Sequence, residues 1–246
     1  MRWARGFPVA VVGVLLGAPF EARVDEAVDP QVKALMEQLR AADWTQRTMA
    51  ASMLSQLGPA AVPAIPLLLE PLKDTQETAR IYRSTVPITL GIIGPPAKSA
   101  IPALIEMLKT EDPEPDHPEA NLWVMARANA AYALGTIGPA DRAAAFAALL
   151  DAARDTRGRI RANALASLAT LGVRPGADAQ TAVPVLVQVL EDWKDLVESQ
   201  QTAAELLGSI GPPARAAAPA LTRALESRSQ EVRTAAADAL KAIQDR

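Results

Sequence analysis

Leu57-Gly58-Pro59-Ala60 closes one apolar helical stripe and opens the next, and the chain uses this stretch again. Ile93-Gly94-Pro95-Pro96-Ala97, Ile137-Gly138-Pro139-Ala140 and Ile210-Gly211-Pro212-Pro213-Ala214 are further copies. Leu171-Gly172 is a weaker copy, with its proline delayed to Pro175. A glycine just past a helix end takes the left-handed conformation that closes the last turn. A proline after it cannot continue that helix but suits the entry to another. These stretches are read as punctuation between helices.

The apolar residue before each glycine sets a register. Leu57, Ile93, Ile137, Leu171 and Ile210 are the anchors, with Ile243 in the same role at the end, spaced 36, 44, 34, 39 and 33 residues apart. Three residues before each anchor stand Leu54, Leu90, Leu134, Leu168, Leu207 and Leu240. Seven before stand Ala50, Val86, Ala130, Ala164, Ala203 and Ala236. Ten before stand Arg47, Arg83, Arg127, Arg161, Gln200 and Arg233. Steps of three and four keep these positions on one helical stripe. Each repeat therefore ends in a helix with one apolar seam.

A first helix precedes it in every repeat. Its seam reads Val32-Leu35-Met36-Leu39 in the first repeat and Ile101-Leu104-Ile105-Leu108 in the third. Pro63, Pro102, Pro184 and Pro219 follow the first seam position, which predicts proline in the first turn, where a missing N–H costs nothing. Pro30, with Asp29 as N-cap, opens the first unit the same way. Pro87 falls inside a second helix and predicts a kink or break there. The joint Leu171-Gly172-Val173-Arg174-Pro175-Gly176 is the longest, and a bend between units is expected at it.

A lone helix pair cannot bury its apolar faces, whereas a stack of pairs makes one continuous core. The pattern of proline in the first helix, arginine and small residues in the second, then Leu-x-x-Ile-Gly, resembles the HEAT repeats. The likeness is to the short alanine-rich kind related to armadillo and phycobilin-lyase-type repeats, over residues 28–243. The resemblance implies an all-α, right-handed superhelix of about six helix pairs. It also implies a non-catalytic protein-binding scaffold. The alternatives are an enzyme-accessory, tetrapyrrole-related role and, less favoured, nucleic-acid binding.

Composition narrows these classes. Half of the 246 residues are apolar but only 4% aromatic, so alanine and aliphatic residues dominate the core. A net charge of −3 argues against a general nucleic-acid binder. The absence of cysteine excludes disulfides and thiolate chemistry, and one histidine, His117, cannot build a multi-histidine metal site. No cofactor is expected. Met1-Arg2-Trp3-Ala4-Arg5 followed by the apolar run from Phe7 to Phe20 has the shape of an export signal. Residues 1–24 are therefore read as a signal or hydrophobic N-terminal segment, and 25–246 as the solenoid, with no membrane span, monomeric, and exported, or cytoplasmic if residues 1–20 are not a signal.

Candidate binding residues lie in two places. The acidic, proline-rich turn at 110–119 and the acidic stretch 191–195 should project from one edge, with Trp44, Trp123 and Trp193 near it. Tryptophan is enriched at binding hot spots. The position five after each arginine should face a groove and holds Ser52, Ile88, Tyr132, Ala166, Glu205 and Asp238. There Ile88 and Tyr132 form an apolar spot that suits a protein or peptide anchor, followed by Glu205 and Asp238. Arg47, Arg83, Arg127, Arg161 and Arg233 are read as a structural ladder between repeats, with Asp43 as a local partner of Arg47; the other reading is a row gripping an acidic peptide or phosphates.

Overall fold

The computed structural model describes residues 28–73, 79–110, 120–192 and 196–244. The expected leader, His117, Trp193 and most of both acidic turns lie outside the described residues. Among the described residues there are twelve α-helices, in six pairs, and no strand. They are α1 Pro30–Leu39 and α2 Trp44–Leu57, then α3 Ile65–Leu69 and α4 Arg80–Ile93. The third and fourth pairs are α5 Ile101–Lys109 with α6 Ala120–Ile137, and α7 Arg142–Ala152 with α8 Gly158–Leu171. The last two are α9 Ala177–Glu191 with α10 Val197–Ile210, and α11 Ala218–Ala224 with α12 Gln230–Gln244. The chain is an all-α solenoid.

The seams read from the sequence form its core. Ala50, Val86, Ala130, Ala164, Ala203 and Ala236 are fully buried, as are Leu54, Leu90, Leu134, Leu168 and Leu207. At the start, Asp29 caps α1, its carboxylate accepting from Gln31 N at 2.7 Å. The glycine joints close their helices with positive φ at Gly58, Gly94, Gly172 and Gly211. Gly138 differs. It sits in a 3-10 turn, and a Cβ there would meet the Ala145 methyl at 2.8 Å and Leu171 at 3.2 Å, so space rather than backbone conformation calls for glycine.

Two proline expectations are corrected. α4 runs unbroken through Pro87, which is itself buried. The flanking Val86, Leu90 and Ile93 are anchored in the core, and that tertiary packing holds the helix across a residue that costs about 3 kcal/mol in isolation. Pro184 lies inside α9 rather than in its first turn, because that helix already begins at Ala177. Pro102 and Pro219 do sit in the first turns of α5 and α11, and Pro63 sits in the 3-10 turn before α3.

Consecutive second helices pack densely on one another, whereas consecutive first helices touch only sparsely. The second helices therefore form the closely packed layer of the stack, and the first helices the looser one. By length and composition the run Trp44–Leu72 could cross a membrane. It is two helices of different units meeting at Gly58, with Ala50, Leu54, Ala64 and Leu68 buried in the shared core.

Dense packing between second helices has a local cause. Two residues before the anchor stand Gly91, Gly135 and Gly208, and each faces the next second helix. A Cβ on Gly91 would come within 3.2 Å of Ala133 Cα, one on Gly135 within 2.6 Å of Ser167 Cβ, and one on Gly208 within 3.0 Å of Ala239 Cα. Hydroxyls cross two seams: Thr89 donates to Ala51 O between α2 and α4, and Ser167 to Ala131 O between α6 and α8, both at 2.9 Å. Between α8 and α10 the pattern lapses. Ala169 replaces the glycine, Leu206 replaces the small residue opposite, and the two helices pack far more sparsely.

Candidate functional site

Four rows of side chains lie on one face of the second helices, at twelve, eight, five and one residue before each anchor, and all but Ala235 are at least partly exposed. In the first three units they hold Thr45, Met49, Ser52 and Gln56, then Ile81, Thr85, Ile88 and Ile92, then Met125, Asn129, Tyr132 and Thr136. None of these carries a charge. Ile81 is 58% exposed, Tyr132 40% and Ile88 37%, so large apolar groups of the second helices face solvent. The Tyr132 ring lies over the adjacent helix, 3.1 Å from where a Cβ on Gly91 would stand. The glycine that brings α4 and α6 together thus also seats the ring.

The same rows in the last two units hold Glu198, Thr202, Glu205 and Ser209, then Glu231, Ala235, Asp238 and Ala242. Glu205, Glu231 and Asp238 line a groove of about 780 Å³ between α10 and α12, floored by Gly208, Ala235 and Ala239 and containing no Lys or Arg. Gln201 donates to Glu205 at 2.8 Å and orients it. Ser229 donates to Glu231 at 2.5 Å, and that hydrogen bond holds the Glu231 carboxyl below the usual range. The fourth unit, with Arg159, Asn163, Ala166 and Thr170, separates the apolar half from the acidic half.

The arginine column stands at the edge where first helices turn into second ones. Arg127 Nε donates to Leu108 O at 3.0 Å, satisfying the end of α5, and its guanidinium also pairs with Asp155 of the next unit. Arg161 Nε donates to Asp155 O at 2.9 Å, and the same side chain reaches Asp192 of the unit after, at 3.1 Å. Gln200 donates to Leu190 O and Asp192 O. Arg233 donates to Ser227 O at 2.8 Å. Arg47 reaches Ala41 O. Asp43 is not its partner: its carboxylate caps α2 through Thr45 N at 3.0 Å, because an N-cap aspartate turns back on the amides of its own helix.

Trp44 and Trp123 belong to this edge and not to the groove rows. Arg47 lies over Trp44 at 4.5 Å and Arg83 over Trp123 at 4.9 Å. Trp44 also meets Tyr82 edge-on at 5.6 Å, and the Tyr82 hydroxyl is pushed well above its ordinary value of 10 by burial. Both indoles are half-buried, each covering the start of a second helix. A further clamp, which the sequence reading missed, sits on the opposite edge. Arg142 pairs with Asp178 at 2.7 Å and donates to Gly172 O, tying the fourth unit to the fifth. The sequence signal for it was the long joint itself, which leaves carbonyls that need a donor. Among the described residues no group of His, Cys, Asp or Glu could hold a metal ion.

No curated protein matches the chain. The family model for HEAT repeats matches residues 183–246, the last two units. An engineered protein of solved structure superposes with a TM-score of 0.64 at 20% identity, over 88% of this chain and 99% of its own. The designed armadillo repeat protein YIII(Dq)4CqI does so with a TM-score of 0.62 at 20% identity, over 86% and 99%. Another, YIII(Dq.V1)4CPAF, solved in complex with the peptide (KR)4, gives 0.59 at 19%, over 87% and 100%. The chain is a HEAT- and armadillo-like α-solenoid, with HEAT repeats recognisable by sequence in its last two units.

Proposed function

We propose that this protein is a non-catalytic scaffold that binds a protein or peptide segment along the exposed face of its second helices. One observation carries the reading: the charge-free rows of the first three units, on which Ile81, Ile88 and Tyr132 are exposed although their helices are otherwise well packed. Exposed apolar groups on a solenoid surface suit a docked segment. A designed armadillo protein of similar fold, in complex with the peptide (KR)4, supports peptides as a class of partner for such a surface. Trp44 and Trp123 do not enter this reading, since arginines cover their faces.

The experiment places a photo-crosslinking residue at Tyr132, on that face, or at Glu106, exposed on the first helix of its unit, α5, in the full chain within its host. Capture of a partner polypeptide from position 132 and not from 106 is the expected result. Equal capture at both positions, or capture from 106 alone, would overturn the proposal.

A further inference from the structure

The exposed face of the second helices changes chemistry along its length, and the change is complete. The rows of the first three units hold no charged residue, and their exposed large groups are apolar. The rows of the last two units hold four carboxylates, Glu198, Glu205, Glu231 and Asp238, with no cation and no large apolar side chain. The first half suits an uncharged apolar stretch. On the second half, an anionic continuation would meet like charge with no compensating cation, and a neutral one would leave the carboxylates without counter-charge. Charge complementarity therefore selects the occupant.

We infer that this face docks one partner segment that is apolar where it crosses Ile88 and Tyr132 and carries Lys or Arg where it crosses Glu205 and Asp238. This rests on the scaffold reading above and deepens it. Neighbouring helices in such a stack lie about 8–10 Å apart, so Tyr132 and Glu205, two units apart, are separated by roughly 20 Å. An extended chain rises about 3.3 Å per residue, so the apolar and basic parts of the segment stand about six residues apart. The apolar contacts give residence, and the carboxylates give orientation and a salt-dependent approach rate.

The test is selection from a random 16-residue peptide display library against the full chain. The enriched peptides are then measured by fluorescence anisotropy against two variants whose fold is checked by circular dichroism. Enriched sequences are expected to carry an apolar stretch and a Lys/Arg pair at that separation. Ile88→Ser with Tyr132→Ser should weaken them by about tenfold or more at any salt concentration. Glu205→Gln with Asp238→Asn should weaken them severalfold in dilute salt and hardly at all in concentrated salt. Peptides with neutral or acidic flanks that still depend on Ile88 and Tyr132 would overturn this inference and leave the scaffold reading standing. Peptides indifferent to both variants, or no enrichment at all, would overturn both.

Discussion

Two neighbouring seams of the solenoid, between α6 and α8 and between α8 and α10, are built from the same repeat and differ in how closely they pack. In the first, Gly135 lies against the Ser167 backbone and Ser167 donates to Ala131 O. In the second, Ala169 and Leu206 occupy the equivalent positions, Ala169 is exposed, and the helices stand apart. Both seams carry an arginine–aspartate pair at the edge of the arginine column, Arg127–Asp155 in the first, and the second adds another at the opposite edge. Arg142–Asp178 bridges one edge and Arg161–Asp192 the other. Ala169 and Leu206 together put a Cβ and an isobutyl group where the first seam has a glycine and a hydroxymethyl group, and the two helices stand further apart.

The comparison breaks most directly at the glycine. Gly135→Val should destabilise the protein by about 3 kcal/mol, since the neighbouring backbone cannot give way, whereas Ala169→Val should change stability by about 0.5 kcal/mol or less. Urea unfolding of the two variants side by side reads the difference, and similar losses in both would show that the seams are not distinct. Next in size is the ladder. Arg161→Gln keeps a carbonyl partner but removes the cation that faces Asp192, for a loss of about 2 kcal/mol by the same measurement. Arg233→Gln, whose arginine donates to the carbonyls of Ser227 and Arg228, should cost about 1 kcal/mol or less.

A smaller effect is expected from the clamp. Arg142→Gln should lower global stability by about 1 kcal/mol, yet speed amide exchange in α9 and α10 more than in α5 and α6. Uniform acceleration along the chain would mean that the fourth joint is no weaker than the others. The smallest effect is one of pH. The Tyr82 hydroxyl titrates higher in the folded chain than its ordinary value of 10, so its contribution is intact below that value and is lost as the solution becomes more alkaline. Tyr82→Phe loses a 3.3 Å hydrogen bond to Leu68 O, about 0.5 kcal/mol at neutral pH. It should also flatten the loss of stability above pH 10, and an unchanged alkaline limb would exclude Tyr82 as its source.

Much of the fold was legible in the register alone. The leucine and alanine rows, the glycine joints and the cap at Asp29 are local features, each readable within one helix or one turn, and each recurs where the repeat places it. The groove row was legible too, since Ile88, Tyr132, Glu205 and Asp238 follow from helical spacing. The fate of Trp44 and Trp123 was not, because which face of an indole is covered depends on an arginine elsewhere in the chain. Nor was continuity through Pro87: a helix rule read locally misses the anchoring that distant core neighbours supply.

The sequence by itself determined that the chain is a stack of helix pairs, where most second helices end, and which residues form its core, because helical period and turn chemistry act over four residues at a time. Only the tertiary structure decided which layer packs more closely, that one seam between second helices is tighter than the next, and that the arginines reach across units to Asp155 and Asp192. Those depend on how closely two backbones some thirty to forty residues apart approach, and that distance is set jointly by the side chains on both.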